Sequence, residues 1–156
     1  MDFLPEDKKW MRLALQEAEL AGNEGEIPVG AVIVKDGEVI AVAHNLCETT
    51  HDATAHAERL AIAQACRRLG TWRLSDCTLY VTMEPCPMCA GAVINARIPR
   101  VIYGTKDPRA GAFGSLLDLS AYPLEGRPRY STGLLEEESR RLLSDFFAKL
   151  REKHKK

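Results

Sequence analysis

His56, Cys86 and Cys89 are the side chains of this 156-residue chain best suited to hold a metal ion. Cys86 and Cys89 form a C-x-x-C pair within Pro85-Cys86-Pro87-Met88-Cys89, and His56 opens the triplet His56-Ala57-Glu58. Two intervening residues let both thiolates reach one tetrahedral ion from the first turn of a helix. One imidazole with two thiolates is a borderline-soft donor set that suits Zn2+. Structural zinc sites are closed by four protein ligands, whereas catalytic ones keep a position for water. Glu58 stands two residues beyond His56, close enough to take a proton from such a water and pass it to substrate and leaving group. A lone C-x-x-C is ambiguous between redox use, plain packing and structural zinc, the last needing a fourth ligand from Cys47, Cys77, His44 or His51. H-x-E and P-C-x-x-C together, each opening a helix, favour a catalytic zinc ion.

The pattern around these residues sets what must position them. Trp10, Ala14, Ala18 and Ala21 recur at helical spacing, predicting a helix from about Asp7 to Ala21, closed by Gly22 and Gly25. Asp36-Gly37 between the runs Val29–Val34 and Val39–Ala43 predicts a hairpin. Asp52 or Thr54 is the expected cap of a helix running to Leu69 and ended by Gly70. Thr78–Thr82 reads as a third strand, Pro87–Ala96 as a short helix with Pro in its first turn, and Val101–Tyr103 as a fourth strand. Lys106–Ser115 is a glycine-rich loop, and about 134–154 a long terminal helix. This order predicts an α/β fold, a central mixed sheet with helices on both faces. Both thiolates and the imidazole then lie at helix N-termini, whose positive dipole ends favour thiolate and hydroxide.

The composition is that of one soluble domain, residues 1–156, with 46% hydrophobic and 28% charged residues. A single core of this size buries roughly 70% of the unfolded surface, so disulfides are not required. Five cysteines make a poor disulfide framework, and Cys47, Cys66 and Cys77 read as ordinary thiols. The acidic opening has no apolar signal region and no stretch approaches the roughly 18 apolar residues of a membrane span. The expectation is a cytoplasmic protein with reduced thiols and no membrane partner.

H-x-E with P-C-x-x-C resembles the signature of the zinc-dependent nucleoside and nucleobase deaminases. Ile27-Pro28-Val29-Gly30-Ala31, His44-Asn45, Thr54-Ala55-His56-Ala57-Glu58, Glu84 to Ala92, Gly111-Ala112-Phe113-Gly114-Ser115 and Ser144-Asp145-Phe146-Phe147 look like the tRNA adenosine deaminase branch. They extend from about Trp10 to Leu150. The zinc motif specifies only the superfamily; the glycine loop and the Ser-Asp-Phe-Phe helix point to the tRNA branch. Ala53 stands where that branch often has Pro, and Phe113 where a smaller residue is common. Ala53 is expected to loosen the turn before the zinc helix, and Phe113 to reshape a substrate-facing loop.

The resemblance implies a three-layer cytidine-deaminase-like fold, one Zn2+ per subunit held by His56, Cys86 and Cys89, and catalysis by Glu58. The implied reaction is hydrolytic deamination of adenosine to inosine at the wobble position of a tRNA, with zinc-activated hydroxide as nucleophile and Glu58 as proton shuttle. The base is taken out of its stack, at small cost in an anticodon loop. Asn45 matches the family's Asn that holds the flipped nucleoside, and Val29 would line the pocket with backbone atoms. Lys106 and Asp107 lie in the loop that meets the nucleic acid, and Phe146 or its neighbour Phe147 would stack on RNA or pack. Met88, Val93 and Ile94 would serve packing and a homodimer interface. The competing readings are a deaminase of free guanine, cytosine or adenosine, and a zinc-stabilised binding module without catalysis.

Lys+Arg of 21 against Asp+Glu of 22 gives a net charge of −1, which argues against a nucleic-acid partner on average. The distribution differs. From Ser139 to Lys156 seven basic residues face only Asp145 and Glu152, a net of +5, which leaves the rest of the chain at −6. A basic tail on an acidic body draws phosphates to one end.

Overall fold

Asp36 and Gly37, both in the left-handed region with φ of 51° and 73°, make the tight turn between β1 (Gly30–Lys35) and β2 (Glu38–His44). The computed structural model describes residues 3–154; the acidic Met1-Asp2 opening and the last two lysines of the basic tail, Lys155 and Lys156, lie outside them. Five strands form one sheet in the order β2-β1-β3-β4-β5, where β3 is Cys77–Met83, β4 Arg100–Thr105 and β5 Arg129–Thr132. β1 is antiparallel to both neighbours, while β3, β4 and β5 run parallel. The sheet is mixed, as expected.

Alternate strand residues feed two apolar layers, because successive side chains point to opposite faces. Ala31, Ile33, Leu79, Val81, Val101 and Tyr103 pack with α3 (Ala57–Leu69) and α4 (Pro87–Asn95). Val32, Val34, Tyr80 and Ile102 pack under α1 (Asp7–Asn23), which presents Trp10, Met11 and Ala14. The small face of α1 brings its backbone hard against Gly30, where a Cβ would overlap the Ala14 carbonyl oxygen. A short helix, α2 (Cys47–Thr50), follows β2, and α5 (Glu136–His154) closes the chain. This is the expected three-layer α-β-α arrangement.

Three expectations need correction. Neither Asp52 nor Thr54 caps α3: Asp52 Oδ1 accepts from Thr54 N and Oγ1 in a turn of its own. α3 starts later, with His56 as its extended N-cap. β5 was not expected; its four residues, Arg-Tyr-Ser-Thr, carry no apolar alternation, and parallel pairing with β4 places them. Val93 and Ile94 are buried within the subunit, so they serve packing, and only Met88 of that helix trio is exposed.

One buried ion pair ties α1 to the sheet. Asp7 Oδ1 accepts from Arg100 Nη1 at 3.0 Å and Tyr80 Oη at 2.6 Å; Oδ2 accepts from Arg100 Nη2 and Leu4 N, each at 2.6 Å. Burial alone would raise the Asp7 carboxyl, but the bonds from Arg100, Tyr80 and Leu4 N outweigh it and hold it below the ordinary value. A depressed folded-state pKa stabilises the fold above the unfolded value of about 3.9, and that stabilisation is lost as pH falls through the folded value. Asp7→Asn is expected to cost about 2–4 kcal/mol at pH 7. In urea melts its deficit should shrink as pH falls below about 4.

Candidate active site

His56 and Cys86 are N-caps, each with extended φ/ψ: His56 before α3 and Cys86 before α4. Pro87 occupies the first helical position of α4, which needs no N–H donor there, and Cys89 sits one turn in. The two helix starts converge so that His56 Nδ1 lies 3.5 Å from Cys86 Sγ and 3.6 Å from Cys89 Sγ. A tetrahedral ion with bonds of about 2.3 Å to sulfur and about 2.0–2.1 Å to nitrogen requires N···S separations of about 3.5 Å, so the donor set fits zinc. Among the described residues these three are the only His, Cys, Asp or Glu side chains clustered tightly enough for a metal.

The other candidate ligands do not join this cluster. His44 is bracketed by Glu17 at 3.0 Å and Glu24 at 2.9 Å; despite burial, these carboxylates raise its pKa. Cys77 lies in the core, its thiol pushed up to about 11 by burial. Cys47 is half-buried and donates to Asn45 Oδ1 at 3.1 Å. His51 is exposed, in a left-handed turn after α2. Among the described residues no fourth side-chain donor joins His56, Cys86 and Cys89, and three donors without a fourth would suit an open, catalytic centre.

The two thiols lie within hydrogen-bonding reach of each other. Cys86 is held down to about 4, first by a hydrogen bond from Cys89 and then, against burial, by His56; Cys89 is raised correspondingly. A cation would take both as thiolates and release the remaining proton. Glu58, in the first turn of α3 and 4% exposed, is pushed up to about 7 by burial, which outweighs its own backbone N–H and His56. A carboxyl balanced near neutrality can both accept and return a proton.

These groups open into a cleft of about 560 Å3, the size of a small-ligand site. Val29, Asn45 and Asp107 line it, together with His56, Glu58 and Cys86. Asp107 spends part of its carboxylate internally, since Oδ1 accepts from Arg109 N and Ala110 N. Lys106 does not line the cleft and is exposed to solvent. Phe146 is also off the cleft; Phe147 lines it, the two rings meeting edge to face. The reason is helical phase: Ser139, Leu143, Phe147 and Arg151 recur every fourth residue, and that stripe of α5 faces the sheet and then the cleft. Phe113 is turned inward, fully buried and stacked on Tyr130 at 5.4 Å, so it props its loop from behind rather than facing a substrate.

Sequence reasoning missed Glu84, Arg109 and Arg151 as cleft residues. The fourfold spacing along α5 was the available signal for Arg151. Glu84 stands in the Glu84 to Ala92 motif, but nothing local marked it as a cleft residue.

The chain matches the MafB19-like deaminase family over residues 5–151. It is 48% identical over 153 residues to the tRNA-specific adenosine deaminase of Bacillus subtilis, covering 97% of this chain and 95% of that protein. Identity to the tRNA-specific adenosine deaminase of Aquifex aeolicus is 49% over 143 residues, covering 91% and 94%. Among solved structures, one from studies of A-to-I editing by tRNA:A34 deaminases at the wobble position of transfer RNA superposes with a TM-score of 0.84 at 46% identity, covering 86% of this chain and 99% of that one. Guanine deaminase from Bacillus subtilis superposes with a TM-score of 0.63 at 40% identity, covering 92% and 93%.

In metal-free protein Cys86 should react with a disulfide reagent near pH 6, where ordinary thiols with pKa about 8.5 are slow. One equivalent of zinc should abolish that reaction. Equal reactivity with and without zinc would contradict the ligand assignment.

Proposed function

The chain belongs to the MafB19-like deaminase family and groups with the tRNA-specific adenosine deaminases, and from that premise we propose that it converts adenosine to inosine at the wobble position of tRNA, by hydrolysis at a zinc ion held by His56, Cys86 and Cys89. The observation that carries this reading is a buried carboxyl group, Glu58, that lines the cleft with His56 and Cys86, two of the three convergent donors. Zinc bound there supplies the Lewis acidity that makes water a nucleophile near neutral pH. Glu58 takes one proton as water adds to C6 and delivers it to the ring nitrogen, which keeps it in inosine; it then takes the remaining hydroxyl proton as the C6 carbonyl forms and passes it to the amino group, which departs as ammonia. Adenosine and water give inosine and ammonia.

The rest of the cleft fits a flipped nucleoside. Asn45 offers an amide to the base or ribose, and its Oδ1 already accepts from Cys47, which leaves the amide N–H groups for the substrate. Val29 forms part of the wall, and Phe147 offers an aromatic surface, 37% exposed, at the α5 side. Arg109 and Arg151 line the cleft from different elements, where phosphates flanking a flipped base would lie.

The charge of α5 sharpens the RNA reading. Its first turn holds Glu136, Glu137 and Glu138, and Arg140 and Arg141 pair with Glu137. The unopposed positive charge therefore sits toward the C-terminal end, around the cleft-lining Arg151. Among the described residues no helix is long and apolar enough to cross a membrane. We infer a single deaminase domain acting in the cytoplasm as a homodimer, with exposed Met88 on the contact face.

The competing reading is a free-base deaminase, which the guanine deaminase likeness favours. Incubating pure zinc-loaded protein with an anticodon stem-loop, guanine, cytosine and adenosine separates the two. Inosine and ammonia from the RNA are expected; ammonia from a free base with none from RNA would overturn the tRNA reading. Glu58→Gln should lower kcat by about 10²–10⁴ with zinc content unchanged, measured by single-turnover assay and metal analysis. Full function in that variant would instead indicate a binding module. Arg151→Ala should weaken stem-loop binding and reduce the salt slope of log K by about 1.

A further inference from the structure

Glu84 lies between β3 and α4, 3% exposed, outside the cluster of metal donors. Its carboxylate accepts four hydrogen bonds, all from one loop. Oε1 accepts from Asp107 N at 3.0 Å and from the Ser115 hydroxyl; Oε2 accepts from Phe113 N at 3.0 Å and Ser115 N at 3.1 Å. Gly111, midway along that loop, passes so close that a Cβ would collide with the Glu84 carboxylate. The loop therefore wraps a buried anion, with backbone N–H groups turned inward as they would be around a bound phosphate.

The outer side of the same loop is a wall of the cleft. Asp107, Pro108, Arg109 and Ala110 line it, as do Asn45 and Val29. The Asp107 N–H bonds Glu84 while the Asp107 side chain caps the turn that carries Arg109 and Ala110. Glu84 N donates to Thr105 O, and Ala112 N to Pro85 O, so the anchor is joined to the end of β4 and to the residue before Cys86. The 107–115 loop has no regular secondary structure to hold its shape, since only Phe113 and Asp118 make an isolated bridge. Its geometry depends on side-chain and turn hydrogen bonds, and the carboxylate supplies the largest set that links it to the sheet.

We propose that Glu84 is a positioning residue for substrate: its carboxylate templates the 107–115 loop and so sets the cleft wall that receives the nucleotide, without taking part in the chemistry at the metal. This rests on the reading of the cleft as an RNA deaminase site. A Gln at 84 keeps the size but replaces one acceptor with an NH2 group facing N–H donors, so the loop must open on that side. Ser115→Ala removes one of the four bonds and nothing else.

The experiment measures zinc content, steady-state kinetics on an anticodon stem-loop, and tryptic cleavage after Arg109, for wild type, Glu84→Gln and Ser115→Ala. Glu84→Gln should bind one zinc, raise KM by at least about tenfold with kcat within a few fold, and be cut faster after Arg109. Ser115→Ala should shift KM and cleavage in the same direction but less. Wild-type KM and wild-type cleavage in both variants would overturn the proposal, as would a fall in kcat with unchanged KM, which would place Glu84 in the chemical step. Loss of zinc from Glu84→Gln would make it a metal-site residue and also overturn it. If Glu84→Gln does not fold, Ser115→Ala decides. Failure of the underlying reading looks different: the wild type itself would leave the stem-loop unchanged, and the cleavage arm would still report whether the loop is anchored.

Discussion

Two helix N-termini have to meet at one point, and the cleft depends on that meeting. His56 caps α3, Cys86 caps α4 and Cys89 lies in the first turn of α4; their donor atoms close to 3.5–3.6 Å only because both helices pack on the same face of the sheet. The positive ends of two helix dipoles then converge on the two cysteines, where they would stabilise thiolates holding a metal ion. Glu58, one residue inside α3, enters the same space from the same helix. A carboxylate there is buried by the packing that positions the ligands, and that burial brings its pKa near neutrality. Ligand geometry and proton-transfer competence thus follow from one packing decision.

The sheet makes that decision possible. β1 lies between β2 and β3, buried on both faces, and Gly30 lets α1 approach closely on the side away from the metal. The Asp7–Arg100 pair locks α1 across the start of β4. The metal face is left to α3 and α4, whose starts point toward the end of β3, and α5 crosses over to complete the cleft with Leu143, Phe147 and Arg151. Rigid elements hold the reacting groups, and a loop anchored on a buried carboxylate holds one wall.

Much of this was legible in the sequence because the signals were local. C-x-x-C with Pro at the first helical position, H-x-E, the Asp-Gly turn and the periodicity of α1 each express physics acting over a few residues. What escaped depended on distant partners. β5 is strand only because β4 offers it a parallel edge, and the start of α3 was misplaced because Asp52 caps its own turn instead. Lys106 and Phe146 were assigned to the substrate from a motif, whereas side-chain phase along loop and helix turns Arg109 and Phe147 toward the cleft. Glu84 was quoted as part of a motif, yet its role is written in residues 23 to 31 positions away.

The proposed metal centre is open, with one imidazole, two thiolates and a solvent position. X-ray absorption at the zinc edge of the loaded protein tests it directly. Two sulfurs at about 2.3 Å, two nitrogen or oxygen atoms at about 2.0–2.1 Å, and scattering from a single imidazole are expected. A shell with two imidazoles, with three or four sulfurs, or with light atoms alone would contradict it.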